Sequence, residues 1–136
     1  MYVALLLIAL VAVASPASGA SFDESAPPGA NYDKAEFRLW LPDGPGPVRA
    51  LIVLVPGSNA DGRADVDDPF WQAFAAKRRL ALVGCRFTDK AHEQMYIEQY
   101  VDVSKGSGQA LLESLAVLAR KSAHAEVASA PNAASL

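Results

Sequence analysis

The chain has few of the residues that mark several large classes of protein. Its 136 residues include one cysteine and two histidines, and its formal net charge is −3. A single cysteine excludes a disulfide framework and a cysteine-rich zinc site. The mildly acidic balance, with no basic stripe, makes nucleic acid an unsuitable partner. A length of this order indicates one domain at most.

One long apolar run lies at the amino terminus. Residues Tyr2 to Ala14 are apolar throughout, and the leader carries no charged side chain. This run is short for a membrane span, which needs about 20 residues. Small residues at Ser18 and Ala20 predict a signal peptide over residues 1–20, cleaved after Ala20. We therefore expect a secreted or periplasmic protein that does not enter a membrane, unless the leader stays uncleaved and tethers it.

The next part of the chain changes from a polar segment to a strand pattern. Residues 21–34 are rich in Ser, Pro, Gly and Ala, which predicts a flexible entry segment. Residues 35–41 alternate apolar and polar side chains, as in a strand with one wet face near a sheet edge. The Pro- and Gly-rich residues 42–47 then predict a turn.

Two apolar strands and two helices follow. Residues 51–55 contain no polar side chain, which predicts a strand covered on both faces, as in a parallel sheet. Residues 69–79 predict an amphipathic helix capped by Asp68, residues 80–87 a second apolar strand, and residues 107–122 another amphipathic helix. A strand, a helix and a strand in this order predict an α/β fold with a parallel sheet and helices on both faces.

The loop after the first apolar strand is the most informative segment for function. Open α/β sheets bind ligands at the carboxyl ends of their strands, and here residues 56–59 read PGSN. A phosphate-binding loop is disfavoured, because Arg63 and Ala64 stand where Lys and Ser/Thr are needed. The Gly-Ser-Gly of residues 106–108 lacks the third glycine of a dinucleotide fold. A third use of such a loop is acyl transfer, in which a backbone N–H stabilises an oxyanion.

The segment over residues 47–90 resembles the first half of a secreted bacterial α/β-hydrolase of the serine esterase and polyester-depolymerase-like kind. It reads PVRALIVLVPGSNADGRADVDDPFWQAFAAKRRLALVGCRFTDK, and the likeness extends over roughly residues 35–119. In that family a hairpin leads to a central strand, the oxyanion loop, a helix, a strand and a second helix. The resemblance implies that the Ser58 backbone N–H is the oxyanion donor, with Asn59 as the second choice. It also implies a small-molecule ester substrate and no cofactor or metal.

The chain departs from this family after the second helix. The family continues with a Gly-x-Ser-x-Gly turn that exposes the nucleophilic serine, and then with the Asp and His of the triad. This sequence has no Gly-x-Ser-x-Gly. We therefore expect an incomplete α/β-hydrolase domain over residues 35–136, truncated before the nucleophile elbow, inactive by itself and with residues 51–55 at an exposed edge. The alternative is a small secreted, non-catalytic α/β binding module.

Other polar or reactive side chains favour structural roles. Residues 94–103 predict a short helix or a lid-like loop. Cys85 lies in an apolar segment, which predicts a buried thiol. His92 begins no zincin motif, because Tyr96 stands near the place of the second histidine. One loop holds four acidic residues whose spacing matches no calcium-binding hand and favours a solvated, helix-capping loop: Asp61, Asp65, Asp67 and Asp68.

Overall fold

A computed structural model describes residues 17–93 and 97–129, which combine a mixed sheet with helices. The strands are β1 (Gly19–Ala26), β2 (Lys34–Pro42), β3 (Ala50–Leu54) and β4 (Leu80–Thr88). The helices are α1 (Pro69–Arg78), α2 (Ser107–Ser122) and α3 (Glu126–Ser129). Three short 3-10 helices span Gly62–Asp67, Gln99–Val101 and Val103–Lys105. Residues 1–16 of the predicted leader lie outside the described residues.

The strands lie in the order β1-β2-β4-β3. β3 and β4 run parallel with α1 between them in sequence, so the predicted strand, helix, strand unit is confirmed. β2 pairs antiparallel with both β1 and β4. The prediction of a parallel sheet is therefore wrong for the sheet as a whole, which is mixed. The physical reason is the β1–β2 hairpin. Its second strand, β2, pairs antiparallel with β4, so the sheet has two antiparallel pairs of strands beside the parallel β3–β4 pair.

β1 is a strand that the sequence analysis missed. Residues 21–26 of the predicted flexible segment belong to it, and all eight of its residues pair with β2. Phe22 and Ala26 pack on the core from this strand, which gives it apolar contacts despite its polar composition. β2 consequently lies between two strands instead of near an edge. The predicted cleavage point after Ala20 falls inside β1.

β3 is confirmed as a strand, but its surroundings differ from those predicted. Among the described residues it pairs only with β4 and forms one edge of the sheet. Val53 is 36% exposed, and Val55, directly after the strand, is 74% exposed. The predicted covering of both faces is confirmed only in part: Leu51 packs against one cluster of buried side chains and Ile52 and Leu54 against the other, but all three are only partly buried. The edge position agrees with the expectation that residues 51–55 lie at an exposed edge.

Helices cover both faces of the sheet, as predicted. Residues that follow one another in β4 point to opposite faces, so Val83 and Leu82 belong to different clusters of buried side chains. α2 supplies the first cluster with Leu115 and Leu118, and α1 supplies the second with Ala75. Among residues 17–93 and 97–129, none of the helices has the length and apolar character that crossing a membrane requires.

The helix boundaries follow from local capping chemistry. Asp68 accepts hydrogen bonds from the N–H groups of Phe70 and Trp71, and Pro69 occupies the first helical position of α1. The bounds of α2 coincide with the predicted residues 107–122. Part of the segment predicted as a solvated acidic loop instead forms the 3-10 helix Gly62–Asp67.

Candidate functional site

A polar cleft lies where the two parallel strands end. The loop after β3 and the first residues after β4 meet at this end of the sheet, because parallel strands share one carboxyl edge. The cleft has a volume of about 410 Å³. Most of its lining residues are polar or charged: Ser58, Asn59, Asp89, Lys90, His92 and Glu98. Ala91 and Ile97 complete the lining.

The loop after β3 forms a β-turn over residues 57–60, closed by a 3.1 Å hydrogen bond from the Ala60 N–H to the Gly57 carbonyl oxygen. Asn59 occupies the third position with a φ of 51°, whereas Ser58 at the second position has a negative φ. A positive φ at the third position characterises a type II turn, in which Asn is tolerated. The PGSN sequence therefore accounts for the shape of the loop.

The two candidate donors in this turn differ in their hydrogen bonds. The Ser58 N–H has no acceptor among residues 17–93 and 97–129. The Asn59 N–H donates to the Tyr100 hydroxyl oxygen at 2.8 Å. Only the first-choice donor is thus open to a ligand in the described structure.

Side chains tie this turn to the segments around it. The Ser58 hydroxyl forms a hydrogen bond with the Glu98 carboxylate, and the Asn59 amide nitrogen donates to the Ser58 Oγ at 3.3 Å. The Asn59 Oδ1 accepts the Asp89 N–H at 2.9 Å. The turn is therefore held from the end of β4 and from the segment before α2.

An Asp89–His92 pair is the main feature of the cleft that the sequence analysis missed. The Asp89 Oδ2 lies 2.6 Å from the His92 Nε2, and its Oδ1 accepts the Gln99 N–H at 2.7 Å. A carboxylate fixed in this way orients an imidazole, as in many acid–base sites. The available signal was the Asp-x-x-His spacing immediately after a buried strand. Residues 94–96, which the lid-like prediction includes, lie outside the described residues.

This arrangement offers an open backbone N–H, a serine hydroxyl beside a carboxylate, and an oriented imidazole. An open backbone N–H can bind a polar ligand and stabilise developing negative charge, whereas the Ser58 hydroxyl already donates to the Glu98 carboxylate. Within residues 17–93 and 97–129, no three His, Cys, Asp or Glu side chains converge to hold a metal ion. The glycine-rich residues 106–108 form the amino-terminal turn of α2, and Ser107 there is buried against Asn31. That turn is part of the structural framework.

The acidic loop residues predicted to have structural roles are dispersed among separate partners. Asp68 caps α1. Asp67 pairs with Arg38 at 2.7 Å, and Asp61 pairs with Arg63 at 2.6 Å. The predicted capping role is confirmed for Asp68, which caps α1, and for Asp61, which caps the 3-10 helix Gly62–Asp67.

Cys85 is buried as predicted. Burial raises the pKa of its thiol to about 11. Because the thiolate is the reactive form of cysteine, this residue is unsuited to act as a nucleophile at neutral pH.

The chain matches no protein-family model and no curated protein sequence. The interpretation of the cleft therefore depends on its geometry and on the sequence pattern.

The Asp61–Arg63 pair predicts a pH-dependent contribution to stability. Hydrogen bonding to the Arg63 guanidinium lowers the pKa of Asp61 from 3.8 to about 2. A lowered folded-state pKa stabilises the fold above pH 3.8, and this contribution is lost as the pH falls through about 2. We expect Asp61→Asn, which retains a capping side chain, to reduce the free energy of unfolding at pH 5 more than at pH 2.

Urea unfolding at the two pH values measures this difference. The matched control is Asp65→Asn, because Asp65 lies in the 3-10 helix that Asp61 caps and forms no ion pair with the described residues. The prediction would be contradicted if Asp61→Asn lowered the free energy of unfolding by the same amount at both pH values.

Proposed function

We propose that this chain is the amino-terminal part of a secreted α/β-hydrolase-type serine hydrolase that cleaves carboxylic esters. The Ser58 N–H donates to the oxyanion of the tetrahedral intermediate, and the nucleophile, acid and base come from residues that this sequence does not contain. The observation that carries the proposal is that Ser58 lines a cleft at the carboxyl end of β3 and that its N–H has no acceptor among residues 17–93 and 97–129.

The order of the elements supports this proposal. A hairpin of β1 and β2 leads to β3, then to the turn at residues 57–60, and then to α1, β4 and α2. The hydrolase family that the sequence resembles has the same succession: a hairpin, a strand, an oxyanion loop, a helix, a strand and a helix. Other α/β folds share parts of this order, so the proposal also needs the open donor in the turn.

The edge position of β3 gives independent support. In the hydrolase interpretation, residues 51–55 form a central strand that requires a neighbour on each side. β3 has one neighbour among the described residues, and its apolar side chains are partly exposed. A complete sheet would cover them.

The charges in the cleft favour an uncharged substrate. Asp89 and Glu98 both line it, and among its described lining residues Lys90 is the only lysine or arginine. An ester without an acidic group avoids repulsion by these carboxylates. Negative charge then develops only in the transition state, near the Ser58 N–H.

The second candidate function is a non-catalytic α/β binding module. It is favoured by the two clusters of buried side chains, one on each face of the sheet, which give this chain a core of its own. It is also compatible with the polar cleft. The two functions differ in what they require: a hydrolase needs a nucleophile, whereas a binding module needs only a ligand.

The coding sequence after the Leu136 codon and an ester assay test the proposal. A Gly-x-Ser-x-Gly within about ten codons, in any frame, is the expected finding, because one short strand precedes that turn. The 136-residue chain is expected to hydrolyse no short acyl ester. Turnover by this chain that a serine-reactive phosphonate abolishes would contradict the proposal.

A longer protein that carries this turn permits a test of the donor itself. Ser58→Pro removes the N–H and suits the second position of a type II turn, whereas Ser58→Ala removes only the hydroxyl. We expect kcat to be about 10²- to 10³-fold lower in Ser58→Pro than in Ser58→Ala. Equal kcat values would exclude the Ser58 N–H as the oxyanion donor.

A further inference from the structure

The Tyr100 side chain links the turn after β3 to the rest of the fold. Its hydroxyl oxygen accepts the Asn59 N–H at 2.8 Å. Its ring stacks on Phe87 of β4, with 5.9 Å between ring centroids and 14° between ring planes. The stacking restricts where the hydroxyl can lie, so the Asn59 N–H meets an acceptor in a defined position.

The backbone around Tyr100 is held by a buried side chain from the other end of the chain. Asn31 is 3% exposed. Its amide nitrogen donates to the carbonyl oxygens of Gln99 and Asp102 at 3.0 and 2.9 Å. The Ser107 Oγ donates to the Tyr100 carbonyl oxygen at 2.6 Å. The segment that carries Tyr100 is therefore anchored on both sides of this residue.

We propose that Tyr100 is a positioning residue for the turn that presents the Ser58 N–H. The peptide group between Ser58 and Asn59 is the central peptide of the turn, and a type II turn changes type when this peptide rotates. By accepting its N–H, the Tyr100 hydroxyl fixes the orientation of that peptide and leaves the preceding N–H as the open donor. This inference rests on the proposed function for its catalytic meaning, but the hydrogen bond is tested without any substrate.

The test compares two tyrosines that contact the same phenylalanine. Tyr100→Phe keeps the ring on Phe87 and removes the hydroxyl. Tyr32→Phe is the matched control, because the Tyr32 ring packs edge-on against Phe87 with 5.7 Å between ring centroids. The Tyr32 hydroxyl forms no hydrogen bond with the described residues. Loss of one hydrogen bond predicts that Asn59 amide exchange in Tyr100→Phe accelerates by about five- to tenfold. NMR of the 136-residue chain measures this rate, and Tyr32→Phe is expected to leave it unchanged.

A second measurement needs no variant. In the wild-type chain, the Asn59 amide shift is expected to depend less on temperature than the Ser58 amide shift, because only the Asn59 amide is hydrogen-bonded. Equal exchange rates in wild type and Tyr100→Phe, or equal acceleration in both variants, would overturn the positioning role. Ester hydrolysis and the downstream sequence test the proposed function separately. Failure of the positioning role is therefore distinguishable from failure of the proposed function.

Discussion

Gly84→Ala is expected to lower the free energy of unfolding by about 3 kcal/mol, which is a large part of the stability of a small domain. A Cβ at this position would lie 2.2 Å from the Gly62 carbonyl oxygen and 2.8 Å from the Arg63 Cα. Both are backbone atoms, so no side chain can move aside to make room. The 3-10 helix Gly62–Asp67 would have to move away from β4, where it now covers the buried strand.

Gly57→Ala is the matched control for this prediction. A Cβ on Gly57 would meet no heavy atom within 4 Å, and Gly57 does not have a positive φ. Its effect is expected to stay within about 0.5 kcal/mol. Urea unfolding followed by circular dichroism measures both variants. Similar midpoints for Gly84→Ala and wild type would show that the helix and β4 do not approach so closely in solution.

Self-association of this chain through β3 is the second expected result. β3 is an edge strand without a charged residue, and such an edge is a template for pairing with another strand. The opposite edge is protected: β1 carries Asp23 and Glu24, and the Lys121 ammonium donates to the Asp23 carbonyl oxygen at 2.7 Å. The contrast between the two edges predicts association through β3 rather than through β1.

Val53→Lys tests this prediction, because a charge on an edge strand opposes pairing with a second chain. Light scattering after size-exclusion chromatography is expected to show concentration-dependent oligomers for wild type and a larger monomer fraction for the variant. Val103→Lys is the control, since Val103 is 67% exposed but lies in a 3-10 helix. A monomeric wild type at all concentrations, or an equal effect of both substitutions, would contradict association through β3.

The elements that the sequence analysis predicted correctly are those with a strong local pattern. α2 has apolar residues at helical spacing, and α1 has Asp68 and Pro69 at its start. β4 is apolar apart from Gly84, Arg86 and Thr88. β1 was missed because its polar side chains and its Ser- and Pro-rich surroundings hide the alternation, and its hydrogen bonds come from β2.

The candidate site was predictable only in part, for a similar reason. The turn at residues 57–60 was found because it directly follows an apolar strand and contains glycine. Its partners were not found: Tyr100 lies 41 residues after Asn59, and Asn31 bonds residues about 70 positions away. No short pattern encodes such contacts, so the role of Tyr100 depends on the folded chain, whereas the Asp-x-x-His spacing of Asp89 and His92 is a local signal in the sequence.

Local chain chemistry was enough to locate β3, α1, β4 and α2 and to mark the turn after β3 as a candidate site. Hydrophobic periodicity and helix capping involve residues only a few positions apart, so both can be recognised from the sequence alone. Three-dimensional packing was needed for the rest: β1 as a strand, β3 at an edge, and the open Ser58 N–H beside a bonded Asn59 N–H. These features depend on which distant backbone and side-chain groups supply hydrogen bonds, and only the folded chain brings those groups within reach of one another.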